Sequence, residues 1–177
     1  MRTDRLQKEF GVEIRWKVFP LHPEVPEEGI ELTRLFAGME SRIKAMQSRL
    51  RQAANAEGLP ITERSHTYNS RRAQELGKWA EAQGKGDAFH RAVYRAFFVE
   101  GKNIALVDVL AEVAAGVGLS PDKAMEVIVS GSYRSSVDED WESAASLGIS
   151  AVPAYIYGFK RLSGFAPYED FVRLIEK

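Results

Sequence analysis

Three histidines, His22, His66 and His90, are the first side chains in this chain to consider for moving a proton or holding a metal ion. They lie far apart in the sequence and none sits in a metal-ligand pattern, so each reads as a loop or helix-surface histidine. Asp138, Glu139 and Asp140 could supply an acid/base pair only if two of them faced each other. Neighbouring positions on a helix do not, so this run reads as a solvated acidic turn on a helix N-terminus. The sequence has no Gly-rich phosphate loop, no GxSxG elbow and no HExxH. It also has no cysteine, which removes disulfides, thiolate nucleophiles, Cys-ligated zinc, iron–sulfur clusters and dithiol chemistry from these 177 residues.

One local pattern offers binding chemistry. In GISAVPAYIYG, residues 148 to 158, β-branched Val152 precedes Pro153, which opens a β-prone run. Proline is tolerated at the first residue of a strand, and a cis bond there would turn the backbone of Val152 outward. Outward N–H and C=O groups pair with an extended peptide or a thiol tripeptide, as in strand addition. Without its surroundings the same pattern is simply a turn.

The elements that must position this loop follow from periodicity. Leu6 and Phe10, four apart, suit a short helix over Thr3 to Phe10 closed by Gly11. Val12, Ile14, Trp16 and Val18 alternate with Glu13, Arg15 and Lys17, which predicts a strand ending at Phe19. The proline-rich PLHPEVPEEG that follows cannot be helix or central strand. From Ile30 to about Leu147 the period becomes helical. Met39, Ile43, Met46 and Leu50 mark a first amphipathic helix, and Met39, Met46 and the aromatic pair Phe97 and Phe98 are expected in the core. Asn69 or Ser70 caps a second helix, a third carries Phe89 and Phe97, and Asn103 caps a fourth. Ser120 with Pro121 opens a fifth, and Ser135 or Ser136 a sixth. Residues 154 to 163 read as a hairpin turning at Gly158, and Phe171, Leu174 and Ile175 give a last helix its apolar face.

Composition narrows the classes further. With 24 Lys and Arg against 25 Asp and Glu, the net charge is −1, which offers no field for a phosphate backbone or an anionic lipid surface. No nucleic-acid or membrane partner is expected. The longest uncharged stretch, from Ser143 to Phe159, is broken by glycines and Pro153 and does not suit a bilayer span. The first ten residues carry five charges and no apolar block, so no secretory leader and a cytoplasmic location are expected.

A strand, a long helical insertion, a hairpin and a helix, with Val-Pro ahead of the hairpin, resemble the thioredoxin fold as elaborated in the DsbA-like family. The likeness is to its cytoplasmic branch, which holds polyketide-associated DsbA-like oxidoreductases, 2-hydroxychromene-2-carboxylate isomerases and kappa-class glutathione transferases. The residues that carry it are WKVFPLHPEVPEEG (16 to 29), YNSRRAQELGKWAEAQGK (68 to 85), FFVEGKNI (97 to 104) and LGISAVPAYIYGFKRLSGFAPYEDF (147 to 171). The resemblance implies an α/β fold with a thioredoxin-like domain from residues 1 to 29 and 148 to 177. An all-helical insertion would span 30 to 147.

It also implies thiol–disulfide oxidoreductase activity, with Val152 and Pro153 docking the substrate beside a Cys-x-x-Cys pair. No catalytic residue of that pair is present here. By the resemblance the chain begins inside the family's first helix, at Arg2 to Phe10, so the first strand and the dithiol are missing. The expectation is that the natural polypeptide is longer, or that something else fills the gap. A glutathione-dependent isomerase or transferase, with glutathione as cosubstrate, is the second expectation, and a non-catalytic peptide binder the third. No resident cofactor or metal is implied. A homodimer would cover exposed sheet edges.

Overall fold

The computed structural model describes residues 2–176. In chain order the elements are α1 (Arg2–Phe10), β1 (Ile30–Glu31), α2 (Leu32–Leu35), α3 (Glu40–Ala56), β2 (His66–Thr67), α4 (Arg71–Ala82), α5 (Gly86–Phe98), α6 (Val107–Gly116), α7 (Pro121–Ser130), α8 (Arg134–Ser146), β3 (Ala154–Tyr157), β4 (Lys160–Ser163) and α9 (Tyr168–Ile175). None of the described helices is long and apolar enough to cross a membrane. Two compact units form: Met1–Leu21 with Asp138–Lys177, and His22–Val137.

The second unit is helical, and its helix ends follow local chemistry. The Ser120 hydroxyl accepts from the Lys123 N–H (3.3 Å), Pro121 occupies the first turn, and Gly131 closes α7 at φ 64°, donating to Val127. Helices α4 to α7 pack around Leu76, Phe89 and Leu110, each fully buried. Burial of Phe89 alone is worth about 3–5 kcal/mol by the usual cost of truncating a core aromatic.

Asn103 was expected to cap α6. The helix instead begins at Val107, with Leu106 at its cap position and no side-chain cap bond from it. The Asn103 carbonyl accepts from Ala105 N–H (2.9 Å) while its amide donates to the Glu27 carbonyl (2.8 Å). Asn69 does the same work at α4: its carbonyl takes the Arg71 N–H (2.8 Å), and its amide reaches Pro23 (3.1 Å) and Val25 (2.8 Å). The proline-rich loop, poor in donors of its own, is tied down by these two side-chain amides. At its end Gly29 adopts φ +87° against the Tyr68 ring, where a Cβ would have no room. There the two-residue strands β1 and β2 pair antiparallel, Ile30 opposite Thr67.

In the first unit α1 forms as expected, closed by Gly11, whose N–H bonds to Gln7 (3.0 Å) at φ 66°. Beyond it the expected strand does not form. Residues 12 to 19 make no ladder, because β3 pairs with β4 alone and no described strand lies against them. The alternation survives as burial in part: Val12, Ile14 and Val18 are half-buried while Glu13, Arg15 and Lys17 are exposed, and Trp16, 39 % exposed, breaks the pattern. At Val12, Ile14 and Val18 it marked which side chains face inward, and that is independent of whether a partner supplies hydrogen bonds.

The segment is anchored by a side chain instead. Asp140 lies in the second turn of α8, not in a solvated first turn, because the helix starts at Arg134. Its carboxylate is 2 % exposed and accepts from Lys17 Nζ (2.5 Å) and the Val18 N–H (3.0 Å). The expected hairpin is present, with Ala154 opposite Ser163 and Tyr157 opposite Lys160. Gly158 at φ 57°, followed by Phe159 at negative φ, suits a two-residue type II′ turn. Tyr155 meets Phe171 edge to face (4.6 Å), and Leu6, Ala166 and Phe171 form this unit's small buried core.

Candidate functional site

Of the residues singled out in the sequence, Val152 and Pro153 sit where the chain enters β3. Val152 is 45 % exposed. The Val152–Pro153 bond is cis. The Pro153 carbonyl accepts from the Gly164 N–H (2.7 Å), which extends the hairpin by one residue beyond the assigned strands.

That bond fixes the parity of the whole edge. Residues 153 and 164 form a hydrogen-bonded pair, so with one-to-one register the next such pairs are Tyr155 with Leu162 and Tyr157 with Lys160. Ala154 and Ile156 therefore turn both their N–H and C=O away from β4, toward an edge that no described strand covers. The side chains divide the same way. Tyr155 and Leu162 pack toward Phe171, while Ile156 and Arg161 share the opposite face. Val152 and Pro153 were legible from sequence, but Ala154 and Ile156 were not. Their signal lies in counting by twos from a proline whose carbonyl is known to be paired.

Charge near the hairpin is spent on structure. Arg161 donates to the carbonyls of Leu147 and Gly148 just past the end of α8, and Lys160 to that of Glu176 beyond α9. The Glu9 carboxyl is held below its usual range by the Arg5 guanidinium and the Tyr168 hydroxyl, which tie α1 to α9. Burial pushes the Tyr155 phenol up, opposed by Arg2, so it stays a neutral wall at physiological pH.

The arrangement can hold an extended backbone and does not itself supply a nucleophile, since the chain has no cysteine. His22 and His66 make local contacts. His22 bonds Glu24 (3.2 Å) and meets Phe36 edge-on, and His66 bonds Ser65 (2.9 Å) and stacks on Tyr68. Among the described residues no cluster of three or more His, Asp or Glu side chains is placed to hold a metal ion.

Comparison with known proteins gives this geometry a context. The family profile of the DSBA-like thioredoxin domain matches residues 1–176. The uncharacterized protein YwbO of Bacillus subtilis (strain 168) is 27% identical over 171 residues, which is 93% of this chain and 81% of that one. The crystal structure of the probable DsbA oxidoreductase SCO1869 from Streptomyces coelicolor superposes with a TM-score of 0.87 at 27% identity, covering 97% of this chain and 79% of that one. A 2-hydroxychromene-2-carboxylate isomerase shares the fold at a TM-score of 0.75 and 20% identity, covering 98% of this chain and 83% of that one.

Proposed function

Because the chain belongs to the DSBA-like thioredoxin domain family, we propose that it is the substrate-holding frame of a thiol–disulfide oxidoreductase. In that chemistry a thiolate attacks one sulfur of a substrate disulfide, a new S–S bond forms, and the other sulfur leaves as thiolate. With no cysteine among the 177 residues, the attacking thiol comes from outside them. What these residues contribute is the substrate's position. Val152 and Pro153 meet the substrate backbone, and the N–H and C=O groups of Ala154 and Ile156 add it to the edge of β3 as a further strand.

The observation that carries this reading is the uncovered edge of β3 directly after the exposed Val152–Pro153 loop. An unpaired edge is a standing template for another strand, and natural proteins ordinarily cover or charge it. Here the edge carries Ala154 and Ile156, both uncharged.

The test is a titration of the isotope-labelled protein with an extended peptide containing a disulfide, followed by amide NMR. Saturable shifts centred on Val152, Ala154 and Ile156 are expected, and Ile156→Pro, which removes one edge donor, should weaken them. Shifts that leave these residues untouched would overturn the proposal. Glutathione is the second titrant: shifts at the same amides with glutathione and none with the peptide would favour a glutathione-dependent reaction. The chain alone should leave insulin disulfides intact, and reduction by it would rule out a dithiol supplied from elsewhere.

A further inference from the structure

Arg5 pairs with Glu9, Arg15 with Glu13, Arg71 with Glu75, Arg72 with Glu27, Arg95 with Glu100 and Arg173 with Asp170. Arg64 does something else. Its guanidinium lies over the rings of Phe97 (4.3 Å) and Phe98 (4.8 Å). Nη1 is buried and has no hydrogen-bond partner among the described residues. The neighbour whose charge it feels is the Tyr68 phenol, and burial pushes its own pKa down. The side chain keeps its charge at any ordinary pH, so a cation stands here partly stripped of water and in no ion pair among the described residues.

The backbone on either side of it is tied down. Gln47 donates to the Arg64 carbonyl (2.7 Å), and Thr62 bonds the Phe98 carbonyl through both its N–H (2.9 Å) and its hydroxyl (3.0 Å). Tyr94 and Tyr68 extend the ring surface on either side, at 4.8 Å from Phe98 and 6.2 Å from Phe97. All four rings are only half-buried. A guanidinium stacked on half-buried aromatic rings combines the two parts of a small-molecule site: apolar walls and one charged group.

We propose that Arg64 anchors a binding site for an organic carboxylate, whose two oxygens meet the Nε and Nη2 edge while an apolar or aromatic body lies on the Phe97 and Phe98 surface. A single cation matches the single charge of a carboxylate. A phosphate dianion would call for a second cation beside the first. This site is independent of the β3 edge and stands or falls separately from it.

The experiment titrates the full chain with benzoate, benzamide and inorganic phosphate while following the Arg64 side-chain Nε–H resonance. Benzoate should shift it saturably, and neutral benzamide and phosphate should not. Arg64→Gln should weaken benzoate binding at least about tenfold, the factor that 1.4 kcal/mol represents. Arg64→Lys, which keeps the charge and loses the planar fork, should fall between. Equal responses to benzoate and benzamide would overturn the charge recognition, and a stronger response to phosphate would overturn the ligand class. Unchanged affinity in a folded Arg64→Gln protein would remove Arg64 from the site. If that variant does not fold, the benzoate and benzamide titrations of the unaltered protein still decide.

Discussion

Asp140 accepts from Lys17 and Val18, 123 and 122 positions earlier in the chain, and that separation gives these bonds their importance. Hydrogen bonds to a buried carboxylate are among the stronger ones, and the Val18 N–H has no ladder to fall back on. Asp140→Ala should cost about 1–3 kcal/mol in urea unfolding and speed exchange of the Val18 amide. Lys17→Met should cost less, because the lysine side chain is 61% exposed. Unfolding curves that coincide for Asp140→Ala and the parent protein would remove this anchor. Two glycines make a second contrast. At Gly29 a Cβ would lie 2.8 Å from the Thr67 carbonyl oxygen and closer still to the Tyr68 ring, at a φ of +87°. Gly29→Ala should therefore destabilise by more than about 1 kcal/mol. Gly77, inside α4 with nothing within 4 Å of its would-be Cβ, should gain roughly 0.5–1 kcal/mol on substitution by alanine. Thermal melts of the two variants should move in opposite directions. Asp140 could not be read from the sequence, because its own neighbours, Glu139 and Trp141, say nothing of a backbone N–H so far away.

At the scale of elements, what was legible were features with a local cause. The ends of α7 follow from Ser120, Pro121 and Gly131, and the hairpin follows from a β-prone run broken at Gly158. Features that depend on a partner were misread. The alternation at residues 12 to 19 promised a strand, but a strand exists only as part of a ladder. The spacing of Met39, Ile43, Met46 and Leu50 on α3 promised a core face. Only Ile43 is buried, at 9 % exposure, while Met39, Met46 and Leu50 are exposed. Periodicity shows that apolar residues share a stripe; how much of the stripe is covered depends on the neighbouring elements. Ile43→Ala should thus cost roughly 2–5 kcal/mol, and Met46→Ser no more than about 0.5 kcal/mol. Denaturant midpoints compare the two directly, and equal losses would mean that the stripe is covered throughout.

At the scale of the molecule, the two units rest on cores of different size. The unit His22–Val137 buries Leu76, Phe89, Leu110 and their neighbours across four helices, whereas the other has Leu6, Ala166 and Phe171 at its centre. Stability within one chain is distributed according to such differences. Amides of α1, β3, β4 and α9 should exchange through openings of lower free energy than those of α4 to α7, as native-state hydrogen exchange would show. Equal protection would mean that the two units open together. The small unit also has its parts at opposite ends of the sequence, since Lys17 and Val18 reach an aspartate at position 140. On the ribosome that carboxylate emerges only after everything between residues 21 and 138 has been synthesised. The large unit, contiguous in sequence, can fold while translation continues. Residues 12 to 18 must wait for their anchor, with Val12, Ile14 and Val18 open to chaperones and proteases until Asp140 arrives.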